Sequence, residues 1–331
     1  MQNLSYLYNI PLFQPPTSSK TIGKTWGYYH ARNHKNNLSA TQRSIIRTLL
    51  SATIFSPSTI WFQIEKDRLS FKVLEMALVA DALQATIGAS EPWPDDVLLF
   101  QQYKAEQITL PDCTQCLAVE AFLRMCGLRF NVKCKTNAEE MSPSGKVPFI
   151  QAGPYLVSEF DPVVGFVGRK GFSLSRDMSD TDRSEMRAYM SMLENILGNA
   201  ELYMAWLNPE ISKEVTKPRY GCSYPWPLNW VLAWRKQRAV IARLTANDWS
   251  SKSVEEVTEE VHTCCLALSE KLDKKKFFFG DSPTELDALV YGHLYTLLTT
   301  KLPGGPFTSV IREFQNLAEF CKRVDSAYFS D

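Results

Sequence analysis

The hydrophobic and polar positions first form a strand–helix–strand pattern. Residues 97–103 are an apolar run that predicts a buried first strand. Pro111 marks the start of a helix whose residues 116–126 carry apolar side chains at helical spacing, and Gly127 supplies its C-terminal stop. Residues 130–134 then alternate as a second strand. We therefore expect two parallel strands joined by a crossover helix.

The next two short apolar runs predict a β-hairpin. Residues 147–150 and 155–157 are separated by the turn-forming sequence QAGP. Pro148 lies inside the first run, where it cannot donate a hydrogen bond to a neighbouring strand. The strand is expected either to lie at a sheet edge or to use the proline for its bond geometry. A helix over residues 161–169 completes an α/β domain assigned to residues 96–171.

After the α/β domain the periodicity is helical only. Helices are predicted over residues 182–207, 228–244, 253–274, 286–302 and 309–327. Ser253 with Glu256, and Thr284 with Asp287, have the spacing of capping boxes at two helix starts. The sequence therefore predicts a second, all-helical domain over residues 178–331.

The composition is that of an ordinary globular protein, with 45% hydrophobic and 22% charged residues. The length of 331 residues suits two domains. The 36 basic and 36 acidic residues balance, which gives no overall attraction to nucleic acid. The most apolar stretch, residues 286–302, contains Asp287, His293 and Lys301, and therefore predicts a buried core helix instead of a membrane span.

The N-terminal segment differs from the remainder in charge. Residues 1–64 carry six basic residues and no acidic one. The acid-free stretch 1–64, within a hydroxyl-rich segment over residues 1–75, is typical of a mitochondrial transit peptide. Alternatively, it is an extension outside the native coding sequence, because Met76 opens an apolar helical pattern that suits a protein start. We expect residues 1–75 to be mostly unpacked and residues 76–95 to form a helix and a turn.

The eight cysteines do not follow a disulfide framework. They are scattered and several lie in apolar helical patterns, which favours a reducing compartment. Cys113 and Cys116 are the pair that could carry chemistry, because they lie at the start of the first helix. A helix N-terminus stabilises a thiolate, and a thiol one turn later can resolve a mixed disulfide. The alternative is that both cysteines pack as small side chains.

Two passages resemble glutathione transferases. Residues 146–159 combine a Val-Pro strand entry, a hairpin and a polar helix start, as in the thioredoxin-like domain of those enzymes, which keeps a cis-proline at the position of Pro148. Residues 277–287 (FFFGDSPTELD) resemble a passage of their helical domains in which Thr284 and Asp287 would cap a core helix and support folding. The resemblance implies a thioredoxin-like N-terminal domain followed by an all-helical glutathione-transferase-like C-terminal domain.

Four passages resemble one family more closely. They are residues 90–94 (SEPWP), 137–150 (NAEEMSPSGKVPFI), 219–229 (RYGCSYPWPLN) and 285–295 (ELDALVYGHLY). The resemblance runs from about Met76 to the C-terminus. On these passages the chain is identified as a member of the metaxin family, similar to its type-two form.

This resemblance implies a non-catalytic subunit of the sorting and assembly machinery of the mitochondrial outer membrane, which supports protein import and β-barrel insertion. It implies type-one metaxin and the β-barrel insertase as partners, peripheral attachment on the cytosolic face, no cofactor and no nucleic acid. Two alternatives stay open. One is a glutathione- or thiol-dependent oxidoreductase or transferase that uses Cys113 and Cys116, and the other is a mitochondrial transport adaptor.

Glutathione transferases bind the γ-glutamyl group with a Glu or Gln followed by Ser after the hairpin. Here the order is Ser158 followed by Glu159. We therefore expect neither the hydroxyl nor the carboxylate to occupy the usual place, which weakens the case for glutathione binding.

Four aromatic residues are candidate partner anchors. Tyr224 and Trp226 belong to a rigid YPWP motif, which is either an anchor or a fixed entry to the next helix with Pro227 in its first turn. Trp230 and Trp234 lie four residues apart on one helix face. We expect this pair to pack on the first domain, with an exposed patch as the alternative.

Metal binding is not expected from the remaining histidines and cysteines. His262 is close in sequence to the adjacent Cys264 and Cys265, which cannot both reach one tetrahedral ion comfortably, and His293 is alone. The basic residues between 271 and 276 lie near a helix C-terminus, where cations complement the macrodipole. A contact with an anionic membrane surface is a second interpretation of this run.

Overall fold

The computed structural model describes residues 92–300, 302–303 and 305–329. The predicted extension 1–75 lies outside these residues, as does most of the predicted helix and turn at 76–95.

A four-stranded mixed sheet forms the first part of the fold. Its strands are β1 (Leu98–Gln101), β2 (Asn131–Cys134), β3 (Phe149–Ala152) and β4 (Tyr155–Ser158), in the order β2-β1-β3-β4. β1 runs parallel to β2, with Leu99 opposite Val132, and antiparallel to β3, with Leu99 opposite Ile150. The predicted thioredoxin-like arrangement of a β-α-β unit and a hairpin is confirmed.

The hairpin is tighter than predicted. β3 extends through Ala152, so only Gly153 and Pro154 connect it to β4. Gly153 has a φ of +58°, which glycine adopts without the clash that a Cβ would cause. The peptide bond before Pro148 is cis, as the resemblance implied, and Pro148 precedes β3 instead of lying within it. Its carbonyl accepts a hydrogen bond from the amide of Glu159, at 3.2 Å.

Three helices accompany the sheet: α1 (Leu110–Met125), α2 (Ala138–Met141) and α3 (Phe160–Arg169). Pro111 lies in the first turn of α1, and Gly127 follows its end with a φ of +67°, as predicted. α3 also matches its prediction. The single turn α2 was not predicted, because four residues are too few to show a helical period.

The helical part begins with a long, irregular helix. It consists of α4 (Asp180–Leu193), a π-helical turn (Glu194–Gly198), α5 (Asn199–Leu202) and a second π-helical turn (Tyr203–Leu207). The predicted helix over 182–207 is therefore continuous, but it is wider at two places. α6 (Pro209–Ile211), a third π-helical turn (Ser212–Thr216) and α7 (Lys217–Gly221) follow and were not predicted.

The remaining helices are α8 (Leu228–Ala246), α9 (Val254–Leu272), α10 (Glu285–Thr299), α11 (Phe307–Glu313) and α12 (Gln315–Tyr328). Ser253 and Glu256 form the predicted capping box of α9, with bonds of 2.6 and 3.2 Å. The prediction of one last helix over 309–327 is wrong. Phe314 separates α11 from α12, since its backbone leaves the helical region (φ −97°, ψ 84°). Its ring lies 5.3 Å from His262 on α9.

α10 is the central helix of the molecule and packs closely against α1. A Cβ placed on Gly292 would lie only 2.7 Å from the Cβ of Ala118, so glycine is required for this approach. One cluster of buried apolar side chains extends from the sheet through α1 and α10 to α12. Because the two predicted domains share this core, the boundary placed between residues 171 and 178 stays a prediction.

No helix among the described residues combines the length and the apolar composition that crossing a bilayer requires.

Candidate functional site

A cleft of about 520 Å³ lies between the sheet-containing part and the helical part. The N-terminal ends of α1 and α3 and the turn before Pro148 form one wall, and the α4–α5 region and α8 form the other. We call it the charged cleft, and its polar lining consists mainly of Thr109, Asp112, Gln115, Lys146, Glu159, Asp161, Glu194, Glu201, Lys236 and Arg243. Helix N-termini on one wall and charged side chains on both give it a polar lining, which suits a polar group.

The two candidate redox cysteines do not line the charged cleft. Cys113 is partly buried and packs against a small cluster that includes Phe100 and Val147. Cys116 is fully buried. Burial raises the pKa of the Cys113 thiol, and it raises that of Cys116 well above its usual value. The helix N-terminus therefore does not yield a reactive thiolate at either position.

The expectation that Ser158 and Glu159 do not occupy the places that hold a γ-glutamyl group stays a prediction. Ser158 ends β4, is buried and does not line the charged cleft. The carboxylate of Glu159 lines the cleft and forms an ion pair with Lys146. Phe160 follows at the start of α3 and its side chain is buried in the core.

Thr109 is a cleft hydroxyl that the sequence patterns did not reveal. It is the N-cap residue of α1, and its hydroxyl donates a hydrogen bond to Oδ2 of Asp112 at 2.5 Å. Because this bond uses the hydroxyl hydrogen, the Thr109 side chain is engaged at the start of α1. A Thr three residues before an Asp is the signal that could have identified it.

Two carboxylates of the cleft have raised pKa values. Burial raises the pKa of Asp161 and that of Glu194, although Arg187 opposes the shift at Asp161, and His293 and Arg243 oppose it at Glu194. Lys236, on the opposite wall, forms an ion pair with Glu139 of α2. The cleft thus contains charges of both signs that are held by neighbours, which suits binding better than proton transfer.

A buried contact between a histidine and a carboxylate lies beside the cleft. Nδ1 of His293 on α10 is 2.8 Å from Oε1 of Glu201 on α5, and both side chains are almost fully buried. Burial raises the pKa of Glu201, and His293 opposes that shift. No partner of His293 could be predicted from the sequence, because the two residues are 92 positions apart and no local pattern links them.

The three residues expected to matter for folding lie at two structural junctions. Pro148 forms the cis bond before β3. Thr284 and Asp287 form the predicted capping box at the start of α10. Asp287 also accepts a hydrogen bond from the amide of Phe278 at 3.0 Å, which joins the Phe-Phe-Phe-Gly turn to the helix start.

The aromatic candidates are largely at the surface. The hydroxyl of Tyr224 donates a hydrogen bond to Glu140 of α2. Trp226, Trp230 and Trp234 are 84%, 65% and 48% exposed. The expectation that Trp230 and Trp234 pack on the first domain is wrong, because they lie on the outward face of α8.

The remaining candidates are separate from the cleft. Cys264 and Cys265 are buried in the core, and Nε2 of His262 lies 3.7 Å from Glu313. Within the described ranges, no group of three or more His, Cys, Asp or Glu side chains is arranged to hold a metal ion. Lys271 forms an ion pair with Glu185 at 2.8 Å, near the C-terminal end of α9.

Comparison with known proteins gives two family models. The glutathione S-transferase N-terminal domain matches residues 114–211, and the glutathione S-transferase C-terminal domain matches residues 261–324. Among solved structures, a β-etherase from Sphingobium sp. is 16% identical with a TM-score of 0.48, and it covers 70% of this chain and 95% of its own. A glutathione transferase family member from Pseudomonas fluorescens is 13% identical with a TM-score of 0.47, covering 73% and 93%.

Three relatives are much more similar in sequence. Human metaxin-2 is 48% identical over 256 residues, which is 77% of this chain and 97% of metaxin-2. The Caenorhabditis elegans metaxin-2 homolog is 41% identical, covering 68% and 96%. Mouse metaxin-1 is 31% identical, covering 64% and 69%. With this identity along nearly the whole length of metaxin-2, and with the glutathione-transferase-like fold described above, the chain belongs to the metaxin family.

Proposed function

We propose that this protein is a non-catalytic subunit of the sorting and assembly machinery of the mitochondrial outer membrane, where it supports protein import and the insertion of β-barrel proteins. The observation that carries the proposal is the 48% identity to human metaxin-2 over 97% of that protein. In this role the protein binds type-one metaxin and the β-barrel insertase, and it attaches peripherally to the cytosolic face of the membrane.

The chemistry of the charged cleft supports a binding role over a catalytic one. A glutathione- or thiol-dependent enzyme needs a thiol or hydroxyl at the cleft that can react. Cys113 and Cys116 lie outside its lining, burial raises the pKa of both thiols, and Ser158 is buried. Of the two hydroxyls that line the cleft, that of Thr109 already donates to Asp112, and that of Ser144 lies on the exposed turn before Pro148. No cofactor and no nucleic acid enter this proposal.

An import assay tests the proposed function. Mitochondria from cells depleted of this protein are given a radiolabelled β-barrel precursor, and assembly is followed by native electrophoresis. We expect reduced assembly that the full chain restores and that the Cys113→Ser, Cys116→Ser double variant restores equally. Unchanged assembly after depletion contradicts the proposal and favours the transport-adaptor alternative. Restoration by the wild type alone points to a thiol-dependent function.

A further inference from the structure

The exposed hydrophobic side chains are concentrated at one place on the surface. Of the twelve large hydrophobic residues that are exposed in the described part of the chain, six lie between residues 226 and 241. They are Trp226, Leu228, Trp230, Val231, Trp234 and Ile241, and we call this set the aromatic face. Scattered exposed apolar residues are ordinary, but a contiguous aromatic set marks an interaction surface.

The aromatic face carries positive charge. Residues 213–247, which include the lysines beside this face, contain seven basic residues and one acidic residue, Glu214. Arg235 and Arg238 are exposed on α8, and within the described residues neither forms an ion pair with a carboxylate. The guanidinium of Arg238 lies 5.2 Å from the ring centroid of Trp234, so the charge is held against the aromatic surface.

Two carboxylates that contact residues near the aromatic face are already engaged. Glu139 of α2 forms an ion pair with Lys236, and Glu140 accepts a hydrogen bond from Tyr224. Since these contacts tie both acids to this chain, the charge left for a partner is positive. The partner is therefore expected to be anionic.

A groove beside the aromatic face combines ammonium groups with aromatic walls. It has a volume of about 340 Å³, and its lining includes Lys213, Lys217, Trp230 and Trp234. Neither lysine forms an ion pair among the described residues. Two ammonium groups next to indole rings suit a phosphate with an apolar neighbour, which is the chemistry of a phospholipid headgroup and its glycerol region.

We propose that the aromatic face is a membrane-contact surface that lies on an anionic phospholipid layer, with the tryptophans at headgroup level and Arg235, Arg238, Lys213 and Lys217 near lipid phosphates. Tryptophan is enriched at membrane–water interfaces, and helices that lie on membranes combine an apolar aromatic face with lysine and arginine. The inference rests on the proposed function, because it supplies the contact surface for the peripheral attachment. It assigns this role to α8 instead of the basic run near residues 271–276.

Vesicle flotation tests the inference directly. The purified full chain is mixed with phosphatidylcholine vesicles that either contain or lack phosphatidylserine. We expect flotation with the anionic vesicles, weaker flotation at high salt and little with phosphatidylcholine alone. The Trp230→Ser, Trp234→Ser variant and the Arg235→Gln, Arg238→Gln variant should each lower partitioning on the order of tenfold.

Matched controls distinguish binding through this face from non-specific adsorption to the vesicles. The Leu156→Ser, Leu266→Ser variant removes two other exposed apolar side chains, and the Lys274→Gln, Lys275→Gln variant removes two charges from the other basic run. Both controls should float like the wild type. Circular dichroism and urea unfolding must show that each variant is folded.

Three results overturn the inference: the wild type does not float with anionic vesicles, the two face variants float as well as the wild type, or the lysine control loses flotation instead. A tryptophan variant that floats normally but no longer recovers type-one metaxin shows that the face is a protein interface, which also overturns the inference.

A wild type that restores precursor assembly without binding vesicles overturns this inference alone. Vesicle binding without restored assembly contradicts the proposed function instead.

Discussion

Asp287 accepts three hydrogen bonds at the start of α10. Its buried carboxylate accepts hydrogen bonds from the amide of Phe278, at 3.0 Å, and from the amide and hydroxyl of Thr284, at 2.8 and 2.7 Å. Burial nevertheless raises its pKa to about 6, because the loss of water costs the charged form more than these bonds return. An aspartate in the unfolded chain has a pKa of about 4.

Replacement of Asp287 by Asn should remove a pH dependence. Between about pH 4 and pH 6 the folded wild type holds a proton that the unfolded chain has released, so its free energy of unfolding falls as the pH rises, by about 3 kcal/mol from this group. The side chain of Asn does not titrate in this pH range. Urea unfolding from pH 4 to pH 7 should therefore show the stability advantage of the wild type over Asp287→Asn shrinking as the pH rises. A difference that is independent of pH contradicts the raised pKa.

Thiol labelling tests the interpretation of the cysteines. Cys222 is the exposed cysteine, whereas burial raises the pKa of Cys113 and Cys116. In the native protein at neutral pH, mass spectrometry of maleimide-labelled peptides should find Cys222 modified first and Cys113 and Cys116 among the last. Labelling in urea, where all eight react, is the control. Rapid native labelling of Cys113 would restore the redox alternative.

At the scale of elements, the contact between α1 and α10 supports both parts of the fold. Gly292 allows the close approach, since a Cβ there would meet the amide nitrogen of Ala118 and the carbonyl oxygen of Thr114, each at 2.8 Å. These are backbone atoms that cannot move aside. The packing of the two helices therefore depends on a position without a side chain.

Gly292→Ala should lower the free energy of unfolding by about 1–3 kcal/mol, because the helices must separate to accommodate the methyl group. Gly168→Ala is the matched control. Gly168 lies in α3 with nothing near its Cβ position, so alanine there should be neutral or slightly stabilising. Urea unfolding of the two variants measures the difference. Equal stabilities would show that α1 and α10 are not tightly packed at this point.

The elements that were predicted correctly have strong local signals. Alternation defines β2, capping boxes define the starts of α9 and α10, and Gly127 defines the end of α1. The π-helical turns after α4 lack such signals, because one extra residue per turn hardly changes the apolar period. At the break between α11 and α12, Phe314 contacts His262 of α9, a tertiary contact that no local pattern contains.

The orientation of α8 illustrates why the surface sites could not be predicted fully. Ala233, Val240 and Leu244 are buried, whereas Trp230 and Trp234 on the other side are exposed. Both faces of the helix are apolar, so periodicity alone cannot indicate which one enters the core. The cleft was only partly predictable for a similar reason, since Glu201 and His293 meet through tertiary packing.

At the scale of the whole molecule, the fold contains a cleft between its two parts, and several polar groups that line it contact neighbouring side chains. Lys146 engages Glu159, Lys236 engages Glu139, and Thr109 engages Asp112. Neither candidate thiol lines it. The ion pair between Lys236 and Glu139 joins the two parts of the fold, which suits a rigid scaffold that binds partners.

Affinity purification from solubilised mitochondria tests the central claim most directly. The tagged full chain and its Cys113→Ser, Cys116→Ser variant are purified side by side, and the recovered proteins are quantified by mass spectrometry. We predict that both recover type-one metaxin and the β-barrel insertase in equal amounts, because the thiols only pack. Recovery of neither partner by the wild type, or loss of both partners in the variant alone, would contradict the account of this protein as a non-catalytic assembly subunit.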